Sequence, residues 1–294
     1  MEERFNMIRR SYIFKRVCII GVGFMGGSLG MAIKKNGLAK EVIGLSHKQS
    51  SLVQAIKNKA IDTGSTDLGK ALKNVDCVIL AAPVDSIIQL LTRINQYLKR
   101  HTIVTDIGSS KVEIVETATK VLSFPQQFIG SHPLVGSEKR GVSNSVDDLF
   151  ANAQCVLTPT EITNRVVKEK IKFFWSKLDM DVQYLSPEEH DEALAYISHL
   201  PHIMAYGLME TLPKKFLNYS TQSLIDTTRI AKSSPQMWND ICMTNSKKII
   251  KSLDEMVTTL SSIRQAIVKK DRKDLLQHFS KSKEKRDELK SKKE

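Results

Sequence analysis

His132 is the residue around which chemistry can be built in this chain. It stands in the stretch Gly130 to Gly141, GSHPLVGSEKRG, with Ser137 and Glu138 following closely. A histidine between Ser131 and Pro133 cannot continue a helix, so its ring is expected on a loop after the apolar pair Phe128 and Ile129. There an imidazole can act as a general acid or base, with a hydroxyl and a carboxylate near enough to fold back toward it. A solvated or capping histidine fits the same local pattern, so its company has to decide.

Two further stretches supply that company. Ser198-His199-Leu200-Pro201-His202 puts two imidazoles three residues apart around a proline. Pro201 cannot donate to the carbonyl of Ile197, so the helix must kink or open there. A metal held by this pair lacks a third ligand at sensible spacing; a buried, hydrogen-bonded structural role is assigned to His199, leaving His202 for a site. In Asp226-Thr227-Thr228-Arg229-Ile230-Ala231 a guanidinium sits among apolar and small residues. It is costly to bury alone and its fork suits a substrate carboxylate, with Asp226 at i−3 as the competing partner.

The elements that must position these groups begin with Val17 to Ile20, a β-branched run, followed by Gly21-Val22-Gly23-Phe24-Met25-Gly26. GxGxxG directly behind a strand and opening a helix over 24–36 is the context of a dinucleotide site. Gly21 permits the tight turn, Gly23 lets backbone approach a pyrophosphate, Gly26 lets helix and strand pack, and Phe24 and Met25 lie at the helix start. The second strand, Val42 to Leu45, ends in Ser46-His47-Lys48 and not in an acid. Nothing there repels a 2′-phosphate, which favours NADP, with NAD as the alternative. Glu41 is at the wrong end of the strand to substitute.

Strands are then expected at Cys77 to Ala81, Ile103 to Thr105, Phe128-Ile129, Val156-Leu157 and Val182 to Leu185, alternating with helices. The helix between the first two starts with Asp85 as N-cap, and Thr158-Pro159-Thr160-Glu161 reads as a capping box opening another. Pro83 and Ser109 lie at strand ends where ligands bind in a doubly wound sheet; Ser109 also suits a helix cap before Lys111. After residue 187 the alternation stops and long helices follow. The chain therefore divides into a dinucleotide-binding Rossmann domain over 14–187 and an all-α domain over 188–294. In the latter, one long helix from Ser234 through Ile267 carries an apolar stripe fit for a domain core or a subunit interface.

Composition excludes several classes. The 294 residues carry a net charge of +12, but the excess lies mostly in 1–16 and 269–294, where lysine-rich ends are solvated, not nucleic-acid contacts. The modest positive charge of the body favours small anions. Cys18, Cys77, Cys155 and Cys242 form no CxxC pair, which argues against zinc and for buried thiols in a reducing compartment. No run approaches a membrane span and no signal-peptide core follows the N-terminus, so a cytoplasmic protein is expected.

Taken together, GVGFMGGSL, DIGSSK, GSHPLVGSEKRG, SHLPH and DTTRIAKSSPQMW, in this order, resemble the prephenate and arogenate dehydrogenase family of tyrosine biosynthesis. The resemblance runs from Arg16 to about residue 268. It implies an α/β doubly wound domain followed by a helical domain that pairs two subunits into a homodimer. It also implies His132 as catalytic histidine, Ser109 and Glu138 as active-site groups, His202 and Arg229 with Ser137 at the substrate, and a small dicarboxylate, prephenate or arogenate, as that substrate. Val135 and Ser137 stand where Ala and Thr are commoner in this motif. A ring nitrogen of His202 donating to a keto acid favours prephenate, whereas the serine-led loop at Ser46 resembles NADP-using members, several of which prefer arogenate. Two other classes fit parts of the pattern. A 3-hydroxyacid dehydrogenase would use Lys214 and Asn218; a silent dinucleotide sensor would keep the glycines without His132, His202 and Arg229.

Overall fold

The structure is a computed structural model and describes residues 12–135 and 141–289. Its sheet has eight strands, β1 (Phe14–Ile20), β2 (Ala39–Leu45), β3 (Thr63–Ser65), β4 (Cys77–Leu80), β5 (Ile103–Asp106), β6 (Phe128–Pro133), β7 (Gln154–Thr158) and β8 (Asp181–Tyr184). They lie in the order β3-β2-β1-β4-β5-β6-β7-β8. Every neighbouring pair is parallel except β6 and β7. The order reverses between β1 and β4, and the carboxyl ends of those strands flank the crevice where a doubly wound sheet takes its ligand.

Buried on both faces, the central strands need apolar side chains at every position. In β1, Val17 and Ile19 join one core while Cys18 and Ile20 join the other; in β4, Cys77 and Ile79 part from Val78 and Leu80 in the same way. Helices α1 (Phe24–Lys35), α2 (Gln49–Lys57), α3 (Leu68–Ala71), α4 (Val84–Ile94), α5 (Val112–Val121) and α6 (Arg165–Ser176) complete this part. Leu29 and Ile33 of α1 and Ile171, Phe174 and Trp175 of α6 fill the first core; Ile87 and Leu91 of α4 and Ile114, Val115 and Ala118 of α5 fill the second. The three buried cysteines belong to strands, and all four are free thiols. Burial pushes the Cys18 thiol up to about 12, so it is inert.

From β8 onward every element is helical: α7 (Pro187–Leu194), a π-helical turn (Ala195–His199), α8 (Leu200–Thr211), α9 (Gln222–Thr228), α10 (Pro235–Thr244), α11 (Ser246–Lys269) and α12 (Arg272–Glu288), with short 3-10 turns between. Packing divides the chain later than the change of pattern, between Ser246 and Lys247. The reason is that α7 packs on α5 and α10 on α4, which binds these helices to the sheet unit. No helix among the described residues is long and apolar enough to cross a membrane.

Several local expectations give way to long-range contacts. Short β3 lacks an apolar run and was not legible. Asp85 lies in the first turn of α4, whose N-cap is Pro83. The Thr158–Glu161 box does not open a helix: α6 starts at Arg165, capped by the Asn164 side chain on Val166 N–H. The single long helix expected from Ser234 is two, broken at Asn245, whose amide is bonded elsewhere. Beyond residue 268 the charged tail includes α12, capped by Asp271.

Candidate active site

The glycine turn has the geometry of a phosphate cradle. Gly21 takes φ +102°, and a Cβ there would sit 2.3 Å from the carbonyl oxygen of Ala81. A Cβ at Gly26 would fall 2.0 Å from the Gly21 carbonyl oxygen, so only glycine lets α1 approach β1 this closely. Above Gly23, by contrast, an added Cβ meets nothing within 4 Å, and no side chain caps α1. The helix start is thus left open for an anion, with Phe24 buried beneath it and Met25 partly exposed. At the end of β2, Ser46 is partly exposed and His47 and Lys48 are exposed, while Glu41 is committed to Arg16 at 2.8 Å. Pro83 is exposed at the end of β4, across the crevice.

His132 is not on a loop. It lies in β6 and pairs with Val156 of antiparallel β7, so a strand holds the ring in place. The antiparallel partner explains why Gly130, Ser131 and Pro133 do not break the element. Ser137 and Glu138, expected near this ring, lie outside the described residues.

Behind His132 stands a pair that its sequence neighbours did not announce. His132 Nδ1 lies 2.8 Å from His190 Nε2, and His190 Nδ1 lies 2.7 Å from Asp191 Oδ1. Asp191 also accepts the backbone N–H groups of Lys111 at 2.7 Å and Val112 at 2.9 Å. A carboxylate only accepts, so His190 carries its proton on Nδ1 and presents a lone pair at Nε2. His132 must then donate from Nδ1, which leaves its Nε2 as an acceptor facing away from the relay. The same carboxylate caps α5, the task expected of Ser109; that hydroxyl is left partly exposed in the turn between β5 and α5.

The capping box Ser186/Glu189 sets where α7 begins and so places His190 and Asp191 on its buried side. Opening of the helix before Pro201, expected from the sequence, takes the form of the π-helical turn. It brings in His199, which is buried and accepts from Asn245 Nδ2 at 3.1 Å. Its Nε2 has no hydrogen-bond partner among the described residues, and the ring lies edge-on to Trp238, with ring centroids 5.9 Å apart. His202 stacks on the same indole: its ring lies 3.8 Å from that of Trp238, and Nδ1 donates to the Ser198 carbonyl at 3.0 Å. Neutral His202 therefore offers an acceptor at Nε2, not the donor expected for a keto group.

Arg229 is exposed rather than buried, and Asp226 is bonded to Gln222 at 2.9 Å. Among the described residues the guanidinium has no ion-pair partner, so it remains available to an anion. His132, His199, His202 and Arg229 form a chain of neighbours, each close enough to disfavour a proton on the next. Of these, His199 and His202 lie against Trp238, with His132 and Arg229 within electrostatic reach of them.

His132, His190, His199 and His202 are held toward the neutral form. Burial is the main cause for His132 and His190, both well below the usual range, with Lys111 and His199 acting in the same sense. Burial also brings His199 down to about 4 and lowers His202. Unfolding frees these rings to take protons near 6.5, so their stabilisation is full above that pH and is lost as pH falls toward the folded values. For His199 alone the loss is about 3 kcal/mol. Urea midpoints measured from pH 7 down to pH 4.5 are expected to fall steeply in the native protein and less in His199→Gln. Equal slopes would show that His199 is not among the groups responsible; Asp106 and Asp191, raised by burial, act in the opposite sense and are common to both proteins.

Comparison with known proteins adds the chemistry. Residues 29–184 match the family described as prephenate dehydrogenase, nucleotide-binding domain, and residues 186–281 match prephenate dehydrogenase, dimerization domain. The chain is 34% identical to a prephenate dehydrogenase of Bacillus subtilis, over 93% of its own length and 76% of the relative's. It is 32% identical to a cyclohexadienyl dehydrogenase of Zymomonas mobilis, over 95% and 97% of the two. The crystal structure of prephenate dehydrogenase from A. aeolicus, in complex with hydroxyphenyl propionate and NAD+, superposes with a TM-score of 0.89 at 32% identity, covering 94% and 98%. With both parts matched across a single uninterrupted order of elements, the chain belongs to the prephenate dehydrogenase family.

Proposed function

We propose that the protein catalyses oxidative decarboxylation of prephenate to 4-hydroxyphenylpyruvate in tyrosine biosynthesis, with hydride transfer to a nicotinamide dinucleotide. The observation that carries this reading is the His132 relay: a neutral ring, fixed in one tautomer, with its free lone pair turned away from Asp191. With its pyrophosphate at the glycine turn, the dinucleotide would supply the hydride acceptor. His132 Nε2 takes the proton from the ring hydroxyl as the carbon beneath it gives up hydride. The carbon–carboxylate bond then breaks, its electron pair aromatises the ring, and His132 returns the proton to the phenolate oxygen. No net proton is consumed. Arg229 holds the substrate's carboxylate end, His202 lines the same end with its Nε2 acceptor, Ser109 at the carboxyl end of β5 is assigned to the reacting end, and Ser137 and Glu138 are assigned to the same pocket by their place in the motif.

The relatives and the relay support prephenate. Arogenate is a second reading, because the free acceptor at His202 suits an ammonium group better than a keto oxygen. Absorbance at the reduced-nicotinamide band with each substrate separates the two: turnover on prephenate supports the first reading, turnover on arogenate alone the second, and turnover on neither refutes both.

For the dinucleotide we propose NADP, held at Gly21, Gly23, Phe24, Met25, Gly26, Pro83 and the Ser46-His47-Lys48 loop. The support is a β2 end with exposed imidazole and ammonium groups and no carboxylate. KM for NADP is expected to be roughly tenfold below that for NAD, and Lys48→Ala to erase most of the difference, as for loss of a charged hydrogen bond. A KM lower for NAD would reverse the assignment. The functional division is placed at 187, with a nucleotide domain over 14–187 and a helical domain over 188–294 that pairs two copies in the cytoplasm. The dimerization match and exposed Ile250, Val257, Leu260 and Ile267 along α11 support the pairing.

A further inference from the structure

We propose that Lys111 is a positioning residue for the reaction: its buried ammonium, held by Asp106 against β6, keeps His132 neutral and its Nε2 lone pair free. This rests on the role of His132 given above and adds to it the group that sets its protonation.

The geometry starts from an ion pair with no water around it. The Lys111 and Asp106 side chains are both 0% exposed, and the ammonium bonds Asp106 Oδ2. The remaining capacity of Asp106 is used at the edge of the site: Oδ2 accepts Gly108 N–H at 2.7 Å, and Oδ1 accepts the N–H of Ser131, the residue before His132, at 3.2 Å. A Cβ on Gly130 would come within 3.2 Å of Lys111 Cδ. The lysine stem therefore crosses β6 over the position where that strand has no side chain. Residues 130 and 132 of a strand share a face, while Ser131 turns to the other, toward Thr105 and Trp175. The ammonium thus arrives on the face that carries the His132 ring. The backbone N–H of Lys111 meanwhile holds Asp191, the far end of the relay.

A purely structural role explains this arrangement poorly. A buried ion pair loses hydration on both partners, and a well-packed apolar pair of similar volume is often as stable or more so. What an apolar pair cannot do is act on a neighbouring charge. The groups acting on the His132 ring are His190 on α7, with Asp191 behind it, His199 on the π-helical turn and Lys111 before α5, whose ammonium is bonded to Asp106 of β5; Cys155 of β7 pairs with Pro133, lies on the other face and meets only the backbone of His132. Burial pushes the Cys155 thiol well above its ordinary range, so it is uncharged, and the imidazoles are neutral. Asp191 is satisfied by three donors and stands behind His190. Lys111 is then the cation that acts on the ring, in the same sense as burial. A base kept from resting as imidazolium has its lone pair ready for the hydroxyl and gives the proton back readily to a phenolate.

The test replaces the whole pair, since Lys111→Met alone would strand a buried carboxylate. In Asp106→Asn/Lys111→Met no charge is left unpaired. Two readouts are taken across pH on the folded double variant. One is the Cε1–Hε1 NMR resonance of His132, identified by its absence from His132→Asn; the other is the acid limb of kcat/KM. Both are expected to move toward neutrality by about one pH unit relative to the native protein. The NMR readout needs no substrate, so it decides the role of Lys111 even if neither cyclohexadienyl acid is turned over. An unmoved His132 titration, or a double variant that cannot fold, would assign the pair to structure instead.

Discussion

His132→Asn is expected to lower kcat by about 10³-fold, within the range for loss of a positioned general base, with cofactor affinity nearly unchanged. The choice of asparagine is specific. Its amide can still donate toward His190 Nε2 and keep that side of the relay intact, but it offers no basic lone pair to the substrate hydroxyl. The glycine turn that would hold the dinucleotide involves other residues, so a fluorescence titration with reduced cofactor should read the same dissociation constant in both proteins. Appreciable retained turnover would remove His132 from the chemistry, and joint loss of turnover and cofactor binding would point to a misfolded strand.

Arg229→Ala should act on the other parameter. The guanidinium is exposed and has no ion-pair partner among the described residues, so its removal breaks nothing structural. A charged hydrogen bond to a substrate carboxylate contributes about 1.5–3 kcal/mol, hence KM for the dicarboxylate should rise roughly 10- to 150-fold with kcat changed much less. Steady-state kinetics at saturating cofactor separate the two constants. An unaltered KM would detach Arg229 from the substrate, and Lys at this position should restore only part of the affinity because it lacks the bidentate fork.

What was legible in the sequence follows from how local each signal is. GxGxxG behind a β-branched run is a local device, and the turn, the cradle and the doubly wound sheet could be read from it. Arg229, His202 and His132 could be chosen because a polar group beside a proline, a glycine or small residues stands out along the chain. The errors share one physical cause, which is that distant partners override local propensity. His132 became part of a strand because β7 supplied an antiparallel neighbour. Ser109 lost the cap to Asp191, eighty residues away in sequence from Lys111. The long helix broke where Asn245 turns its amide to Asp191 and His199. His190 and Asp191 were missed because, inside PEEHDEAL, they look like one more polar stretch of an exposed helix. The usable signal was the capping box before them: it fixes the helical phase, and that phase puts the His-Asp pair on the inward side with Leu194.

On the proposed role of His132, the relay alone would meet the reaction's need for an acid and a base. In the proposed mechanism the proton leaves the ring hydroxyl and returns to the same oxygen after aromatisation, so one histidine with a fixed tautomer would serve both steps. Asp191 orients rather than titrates, since its oxygens are taken by two backbone N–H groups and His190. His132 must therefore be neutral throughout the physiological range.

The pH dependence of kcat/KM for prephenate in the native protein measures that condition in the free enzyme. The acid limb should lie clearly below the ordinary histidine value of about 6.5, because burial, His190 and Lys111 all disfavour the imidazolium. A limb at or above 6.5, abolished together with activity in His132→Asn, would mean that the base works from an exposed, ordinary imidazole and would contradict the buried relay.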